Sequence, residues 1–169
     1  MVALKQRVGL FALSVIAAGS FLFCPSATGS TLPRFCRVHT AAEAAREQVG
    51  HSSALRLRLG KIVLLASRRE AGPGEVVYAR LANFGSHRAT YGLEFAIERR
   101  GGEGWKVDTS SPKGPWPRVQ GILKAGSAGR CYRFLVPNEQ TGGMYRFVTH
   151  VGLEGSVERA RRTARFRVT

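Results

Sequence analysis

The sequence predicts an all-β protein, an antiparallel β-sandwich of seven to eight short strands over residues 54–169. Two observations carry this prediction. Apolar and polar residues alternate with a period of two along most of this region, and turns rich in glycine and proline separate the alternating stretches. The body shows no convincing helical pattern, which favours two antiparallel sheets packed face to face.

The clearest alternation lies in residues 91–97. A bulky apolar side chain occupies every second position, and glycine, glutamate or alanine lies between. This pattern predicts one continuous strand with one buried face. The glycine-rich residues 101–104 can adopt the positive φ angles of a hairpin, so a return strand is expected at residues 105–107.

The other strands follow from the same alternation. A first strand with a bulge at Gly60 is expected over residues 55–66, and an edge strand over residues 119–123. The prolines of residues 112–117 lack the ladder donor, so that stretch is expected to be an exposed loop. The remaining strands are predicted at residues 75–83, 129–136, 144–151 and 163–169.

The N-terminus has the layout of a secretory signal peptide. Lys5 and Arg7 precede the apolar residues 8–23, and small residues allow a cut before Ser30. We therefore predict a signal peptide over residues 1–29 and an extracytoplasmic protein, either secreted or associated with the cell envelope. Removal of this segment lowers the net charge of +15 by two.

Two other fates of this segment remain open. Its apolar stretch is slightly long for a signal and short for a membrane span, so it could be retained as a membrane anchor. Cys24 could be lipidated, although Phe23 occupies the position where a lipoprotein signal needs a small residue.

Residues 30–53 are predicted to form a tether or a short helix ahead of the sandwich. Thr40 and Glu43 have the spacing of a capping box, and Gly50 is placed to end the helix. The segment has few large apolar residues. A short, weakly docked helix is therefore expected rather than a core element.

Cys36 and Cys131 are the two cysteines left after cleavage. Export places both in an oxidising compartment, where a disulfide between them is plausible and would tie the tail to the sandwich. Two unpaired thiols, with Cys131 as a strand residue of the core, are the alternative.

The order of several short motifs resembles a bacterial immunoglobulin-like (Big-type) domain of exported proteins and lipoproteins. The resemblance covers about residues 55–169. The shared features are Asn83 at a strand end, Tyr91-Gly92, Phe95-x-Ile97-Glu98, Gly104-Trp105, Leu123-x-Ala125-Gly126, Gly143-x-Tyr145-Arg146-Phe147 and Phe166-x-Val168. The proline-rich residues 112–117 and residues 152–162 depart from it. The resemblance implies an immunoglobulin-like fold and an extracytoplasmic setting, and it transfers no catalytic or ligand residue.

Signatures of enzymes and cofactors are scarce. The chain has one aspartate, Asp108, and four histidines without metal-binding spacing. Glu94 and Glu98 would lie roughly 13 Å apart on an extended strand, too far for a glycosidase carboxylate pair. We therefore expect no enzyme, no metal and no cofactor, with a small hydrolase built from loop residues as an alternative.

The arginines offer the main hint of a partner. Lys and Arg number 26 and Asp and Glu 11, and Arg146, Arg165 and Arg167 take outward strand positions. Glu94 and Glu98 are expected beside Arg146 on an exposed sheet face, with Arg165 and Arg167 one strand further. These arginines either maintain solubility or form a patch for an anionic surface.

Trp116 is the best candidate for a contact residue. Trp116 lies between two prolines, which would hold it as a rigid anchor for an interface, although it could instead cover an open end of the sandwich. Trp105 follows the hairpin and is expected to be structural.

Together these features predict a non-enzymatic, exported, immunoglobulin-like binding module of the bacterial cell envelope. Its partner is expected to be a protein or an anionic envelope polymer, and one alternative is docking on wall polymer or lipid headgroups. Nucleic acid is not the expected partner, because the aromatic residues are spaced for a core. Membrane association through an uncleaved N-terminal segment is a further possibility.

Overall fold

A computed structural model describes residues 32–48, 61–116, 120–153 and 158–169 of the chain. These ranges contain two short helices and ten strands, more strands than the seven or eight that the alternation predicts. The predicted signal peptide and residues 55–60 of the predicted first strand lie outside them. The helices are α1 (Arg34–Arg37) and α2 (Ala41–Arg46), and the strands are β1 (Ile62–Ala66), β2 (Glu70–Ala71), β3 (Val76–Asn83), β4 (Ala89–Gly92), β5 (Ala96–Gly101), β6 (Gly104–Val107), β7 (Gln120–Leu123), β8 (Ala128–Leu135), β9 (Gly143–Leu153) and β10 (Arg159–Val168).

The described strands form two sheets. The smaller has the order β1-β3-β8. In the larger, β10 pairs with β9 along its whole length, and the other edge of β9 pairs with β5 and then with β4. β6 extends this sheet from β5, and β7 extends it from β4. The prediction of a purely antiparallel protein is wrong at one place, because β2 pairs with β10 in parallel.

The two sheets enclose one apolar core. Phe134 of the smaller sheet lies 6.2 Å from Phe147 and 6.1 Å from Phe166 of the larger sheet, measured between ring centroids. The residues that alternation predicts to face inward are buried, which confirms an all-β structure of two facing sheets. They include Val77, Ala79, Leu81, Tyr132, Phe134, Val136, Tyr145, Phe147, Val151, Ala164, Phe166 and Val168.

The predicted single strand at residues 91–97 is wrong, because residues 93–95 separate β4 from β5. The hydroxyl of Thr149 donates a 2.9 Å hydrogen bond to the carbonyl of Glu94 at this break. A side chain of β9 thus replaces the regular backbone ladder. Alternation reports which side chains are buried, and it remains intact across a short interruption of backbone pairing. The hairpin of β5 and β6 is confirmed, with Gly104 at a φ of 111°.

The last strand is longer than predicted. Arg159, Arg161 and Arg162 were expected as a cluster just before a strand that begins at residue 163, but all three lie within β10. The register with β9 is continuous from Arg159 to Val168. This half of the strand lacks an apolar pattern, because the positions in line with Ala164 and Phe166 carry an exposed Ala160 and a half-buried Arg162 instead of large apolar side chains.

The helical tail packs more closely than expected. The capping box of α2 is confirmed, with Glu43 N donating to the hydroxyl of Thr40 at 3.1 Å. Weak docking is not what the structure shows, because small side chains allow close approach to β1 and β3. The tail residues Phe35, Ala41, Ala44 and Ala45 form a second buried cluster with Leu65 and Ala82.

A disulfide and a buried arginine fasten this tail to the sandwich. Cys36 and Cys131 are bonded, with 5.6 Å between their Cα atoms, as the cysteine pattern predicts. Arg80 is 3% exposed and donates to the carbonyls of Phe35 and Val38 in the tail and of Gly129 in β8. Desolvation in this site lowers the pKa of the Arg80 guanidinium.

Candidate functional site

Strand register in the larger sheet brings distant charged residues together. Glu98 of β5 lies opposite Arg146 of β9, and Arg146 lies opposite Arg165 of β10. Directly paired positions share one face of a sheet. Because the inward positions of these strands fill the core, these three residues point outward. We define the arginine face as the outward residues Glu98, Trp105, Arg146, Arg161, Arg165 and Arg167.

Glu98 lies at the centre of the arginine face. Its Oε2 accepts a 2.7 Å hydrogen bond from Arg146 Nε and lies 2.6 Å from Arg146 Nη2 in an ion pair, and its Oε1 accepts a hydrogen bond from Arg161 Nη2. The side chains of Glu98 and Arg146 are 10% and 12% exposed. The predicted pairing with Arg146 is confirmed, but the expected exposure of Glu98 is wrong. Two long arginine side chains cover the carboxylate.

Trp105 contacts two arginines of this cluster through its indole ring. The Arg146 guanidinium carbon lies 4.2 Å from the centroid of its ring, and that of Arg165 lies 5.7 Å from it. Guanidinium groups are attracted to the electron-rich face of an indole. Trp105 therefore has a structural role, as expected, and that role is to order two arginines. The register of the hairpin places Trp105 outward, opposite Arg100.

The arginine face carries surplus positive charge. Glu98 is already shared by Arg146 and Arg161. Arg165 and Arg167 are exposed, and within the described ranges neither has a carboxylate at ion-pair distance. Of the three arginines singled out from sequence, Arg165 and Arg167 are thus accessible to a ligand, whereas Arg146 is an internal support.

Trp116 lies elsewhere. Its ring centroid is 5.6 Å from that of Phe95, a buried residue whose ring also packs against Tyr132 and Phe147. Trp116 is half-buried and packs against the apolar core. The structure therefore places this side chain as a cover of the core, the second of the two roles considered for it.

A polar cavity of about 400 Å³ lies beside Asp108 and Gln140. Asp108 accepts hydrogen bonds from Ser110 and from Gln140 Nε2, the latter at 3.2 Å. Burial acts to raise the pKa of Asp108, but these hydrogen bonds and the charge of Arg99 lower it overall. Among the described residues, Ser110 and Gln140 donate hydrogen bonds to this carboxylate and no histidine does. These contacts hold the loop in place.

A groove of about 460 Å³ borders the arginine face at the junction of β2 and β10. Leu64 and Phe166 contribute apolar lining, and Arg165 and Arg167 lie at its side. Its walls combine apolar carbon with the guanidinium groups of Arg165 and Arg167 and the carboxylate of Glu70.

The described residues contain no group of three or more His, Cys, Asp or Glu side chains placed to hold a metal ion. None of the helices within the same ranges is long and apolar enough to cross a membrane.

Comparisons with known proteins assign no family. No family model matches the chain, and no curated protein matches it significantly. Among solved structures, the chain is similar to a family 123 glycoside hydrolase from Clostridium perfringens, with 11% identity, a TM-score of 0.37 and coverage of 59% of this chain and 22% of that one. It is also similar to Spo0M, a sporulation control protein from Bacillus subtilis, with 11% identity, a TM-score of 0.38 and coverage of 64% and 48%.

A further similarity is to an ASH/PapD-like domain of human CEP192, with 15% identity, a TM-score of 0.31 and coverage of 62% of this chain and 81% of that domain. The chain therefore spans less than half of the first two structures that it matches. Likeness at this level assigns neither an activity nor a partner to the chain.

Proposed function

We propose that this chain is a non-enzymatic immunoglobulin-like binding module that docks on an anionic partner through its arginine face. The strand order supports the immunoglobulin-like part. β1 pairs with β3 in the smaller sheet. The next strand, β2, belongs to the larger sheet, where it pairs in parallel with the last strand, β10. A first strand divided between two facing sheets is consistent with a β-sandwich of immunoglobulin type.

A tyrosine near the start of β9 supports the same topology. The hydroxyl of Tyr145 donates a 2.8 Å hydrogen bond to the carbonyl of Thr141, four residues earlier, and accepts one from Gln140 Nε2 at 2.7 Å. Immunoglobulin domains have such a tyrosine corner on their penultimate strand. Here β9 is the penultimate strand of those described.

One observation carries the binding proposal. The central carboxylate of the arginine face, Glu98, is buried and already shared by two arginines, while Arg165 and Arg167 remain exposed. Glu70 of β2 is an exposed carboxylate opposite Arg167, but within the described ranges it forms no ion pair with Arg167. Trp105 orders the Arg146 guanidinium and also lies 5.7 Å from that of Arg165, so part of this face is preorganised. Preorganised arginines are well suited to phosphate and carboxylate groups, which they bind in a bidentate manner.

The cell envelope is the proposed setting. The N-terminal sequence has the layout of an export signal, and the bond between Cys36 and Cys131 fits an oxidising compartment. An anionic envelope polymer is the partner we favour, with a protein or lipid headgroups as alternatives. No cofactor takes part in this function.

Salt-dependent binding tests the proposal. The purified chain is mixed with a glycerol phosphate polymer, with vesicles of equal parts phosphatidylglycerol and phosphatidylcholine, and with vesicles of phosphatidylcholine alone. We expect binding to at least one anionic probe that weakens about ten-fold or more between about 50 and 200 mM salt, and none to the neutral vesicles. Absent or salt-insensitive binding to both anionic probes would refute the proposed function.

A further inference from the structure

The arginines of β10 form a single row. Its outward positions carry Arg159, Arg161, Thr163, Arg165 and Arg167, and all five residues are exposed. The register with β9 has no bulge between Arg159 and Val168, so the alternation is unbroken. Successive outward residues on a strand are about 6.7 Å apart, and the row from first to last spans about 27 Å.

In the described part of the chain, the strands beside β10 add no exposed arginine or lysine to this row, and β2 adds one exposed carboxylate, because Glu70 lies opposite Arg167. On β9, the outward neighbours include Arg146, whose side chain is 12% exposed and bound to Glu98, and Val148, which is 5% exposed. The accessible arginines of β10 and its two neighbouring strands are therefore arranged along a line. A linear polyanion can satisfy such a row, whereas a membrane surface would engage only a narrow strip of headgroups.

The row also lacks a platform for nucleobases. None of its five outward residues is aromatic. The nearest aromatic partner of the arginines, Trp105, has the guanidinium of Arg146 over its ring at 4.2 Å. Proteins that bind single-stranded nucleic acid usually stack bases on exposed aromatic rings. The row thus offers contacts to a charged backbone and little to bases.

We propose that the β10 row binds an extended, base-free phosphodiester polymer whose phosphates are separated by short carbon spacers. This inference rests on the proposed function and names its ligand class. Arginine forks hold successive phosphates in a bidentate manner, and the Thr163 hydroxyl provides a neutral donor in the middle of the row. Arg161 contributes less than the others, because it also binds Glu98.

Binding of glycerol phosphate oligomers of increasing length to the full chain tests this inference. Affinity is expected to rise steeply until an oligomer spans the row of about 27 Å, and to rise only slowly beyond that length. The variant Arg165→Gln/Arg167→Gln should lose about ten-fold or more in affinity, and its salt slope should fall by about one for each arginine removed.

Two further variants separate a binding role from a folding defect. Arg159→Gln/Arg167→Gln changes two exposed ends of the row, and should weaken polymer binding with an unchanged unfolding midpoint. Arg130→Gln/Arg133→Gln removes the same charge from exposed positions of β8 on the other sheet, and should leave polymer affinity within about two-fold. Equal losses in the β8 and β10 variants would overturn the inference.

Competing probes distinguish this inference from the proposed function. Phosphatidylglycerol vesicles that bind more tightly than the polymer at equal phosphate concentration would overturn the inference and leave the proposed function standing. Oligothymidylate that binds as well as a glycerol phosphate oligomer of the same phosphate number would also overturn it, because bases would then be accepted. Failure to bind any anionic probe would overturn both.

Discussion

Arg146 and Glu98 form a nearly buried ion pair on the outer face of the larger sheet, in which Arg146 Nε donates a 2.7 Å hydrogen bond to Glu98 Oε2 and Nη2 lies 2.6 Å from the same oxygen. The other oxygen binds Arg161, and Trp105 lies over the Arg146 guanidinium. A single carboxylate thus orders two arginines that come from neighbouring strands. Arg165 and Arg167 beside them remain available to a ligand.

Replacing Glu98 with glutamine should destabilise the protein markedly. The variant Glu98→Gln leaves Arg146 nearly buried without its counter-charge, at an expected cost of about 2 kcal/mol in the free energy of unfolding, reduced by the partial exposure of Arg161. Urea unfolding of the variant and the wild type measures this loss in the free energy of unfolding. Glu103→Gln is the matched control, because Glu103 pairs with Lys106 in full exposure and should change stability by less than about 0.5 kcal/mol. Equal effects would show that burial of Glu98 does not matter.

Arg80 should hold the helical tail in place. The variant Arg80→Met leaves three carbonyl acceptors without their donor, so we expect a loss of about 2–4 kcal/mol and faster hydrogen exchange in residues 34–46. Arg133→Met changes an exposed residue of the adjacent strand β8 and serves as the control. It should alter neither the free energy of unfolding nor hydrogen exchange in the tail. Unchanged exchange of the tail in the Arg80 variant would contradict this role.

Loss of the disulfide should destabilise the chain through its unfolded state. Cys36 and Cys131 are 95 residues apart in sequence, and closing so long a loop contributes about 4 kcal/mol in the chain-entropy model. The double variant Cys36→Ser/Cys131→Ser should therefore unfold at lower denaturant than the oxidised protein. Thermal unfolding of the wild type with and without a reductant provides the comparison. A reductant that leaves the midpoint in place would contradict the expectation.

Tyr132 should make stability fall at alkaline pH. Burial raises the pKa of its hydroxyl to about 12, with smaller effects from Thr149 and Tyr91. A folded-state pKa above the usual value of about 10 means that this stabilisation is complete below pH 10 and is lost as the pH rises towards 12. Tyr132→Phe removes the group, so its stability should decline about 2 kcal/mol less over this window. Parallel pH profiles for both proteins would contradict this account.

The same variant has a separate cost at neutral pH. The Tyr132 hydroxyl donates a 2.9 Å hydrogen bond to the carbonyl of Gly92. Its removal leaves that carbonyl without this donor and should cost about 1 kcal/mol at pH 7. The pH dependence, and not the absolute stability, is therefore the informative readout.

Much of the fold follows from burial patterns in the sequence. Residues such as Ala164 and Phe166 alternate with polar neighbours, and each of them faces the core. Burial of one strand face is the physical cause of this alternation, so the pattern reports it directly. The capping box of Thr40 and Glu43 was equally legible, because its two hydrogen bonds join residues three apart.

The remaining features depend on contacts between distant segments. The burial of Glu98 results from Arg161, a residue 63 positions away whose strand carries no apolar pattern at that point. The docking of the tail depends on Arg80 reaching carbonyls more than 40 residues away. Parallel pairing of β2 likewise involves two residues only. Local periodicity contains no information on such partners.

Protection of arginines from phenylglyoxal, mapped by mass spectrometry with and without a glycerol phosphate polymer, tests the central claim most directly. The account predicts that the polymer protects Arg165 and Arg167, while Arg130 and Arg133 of the other sheet react at unchanged rates. Arg146 should react slowly in both conditions, because its side chain is 12% exposed. Equal protection on both sheets, or protection of Arg130 and Arg133 alone, would contradict a binding surface on the arginine face.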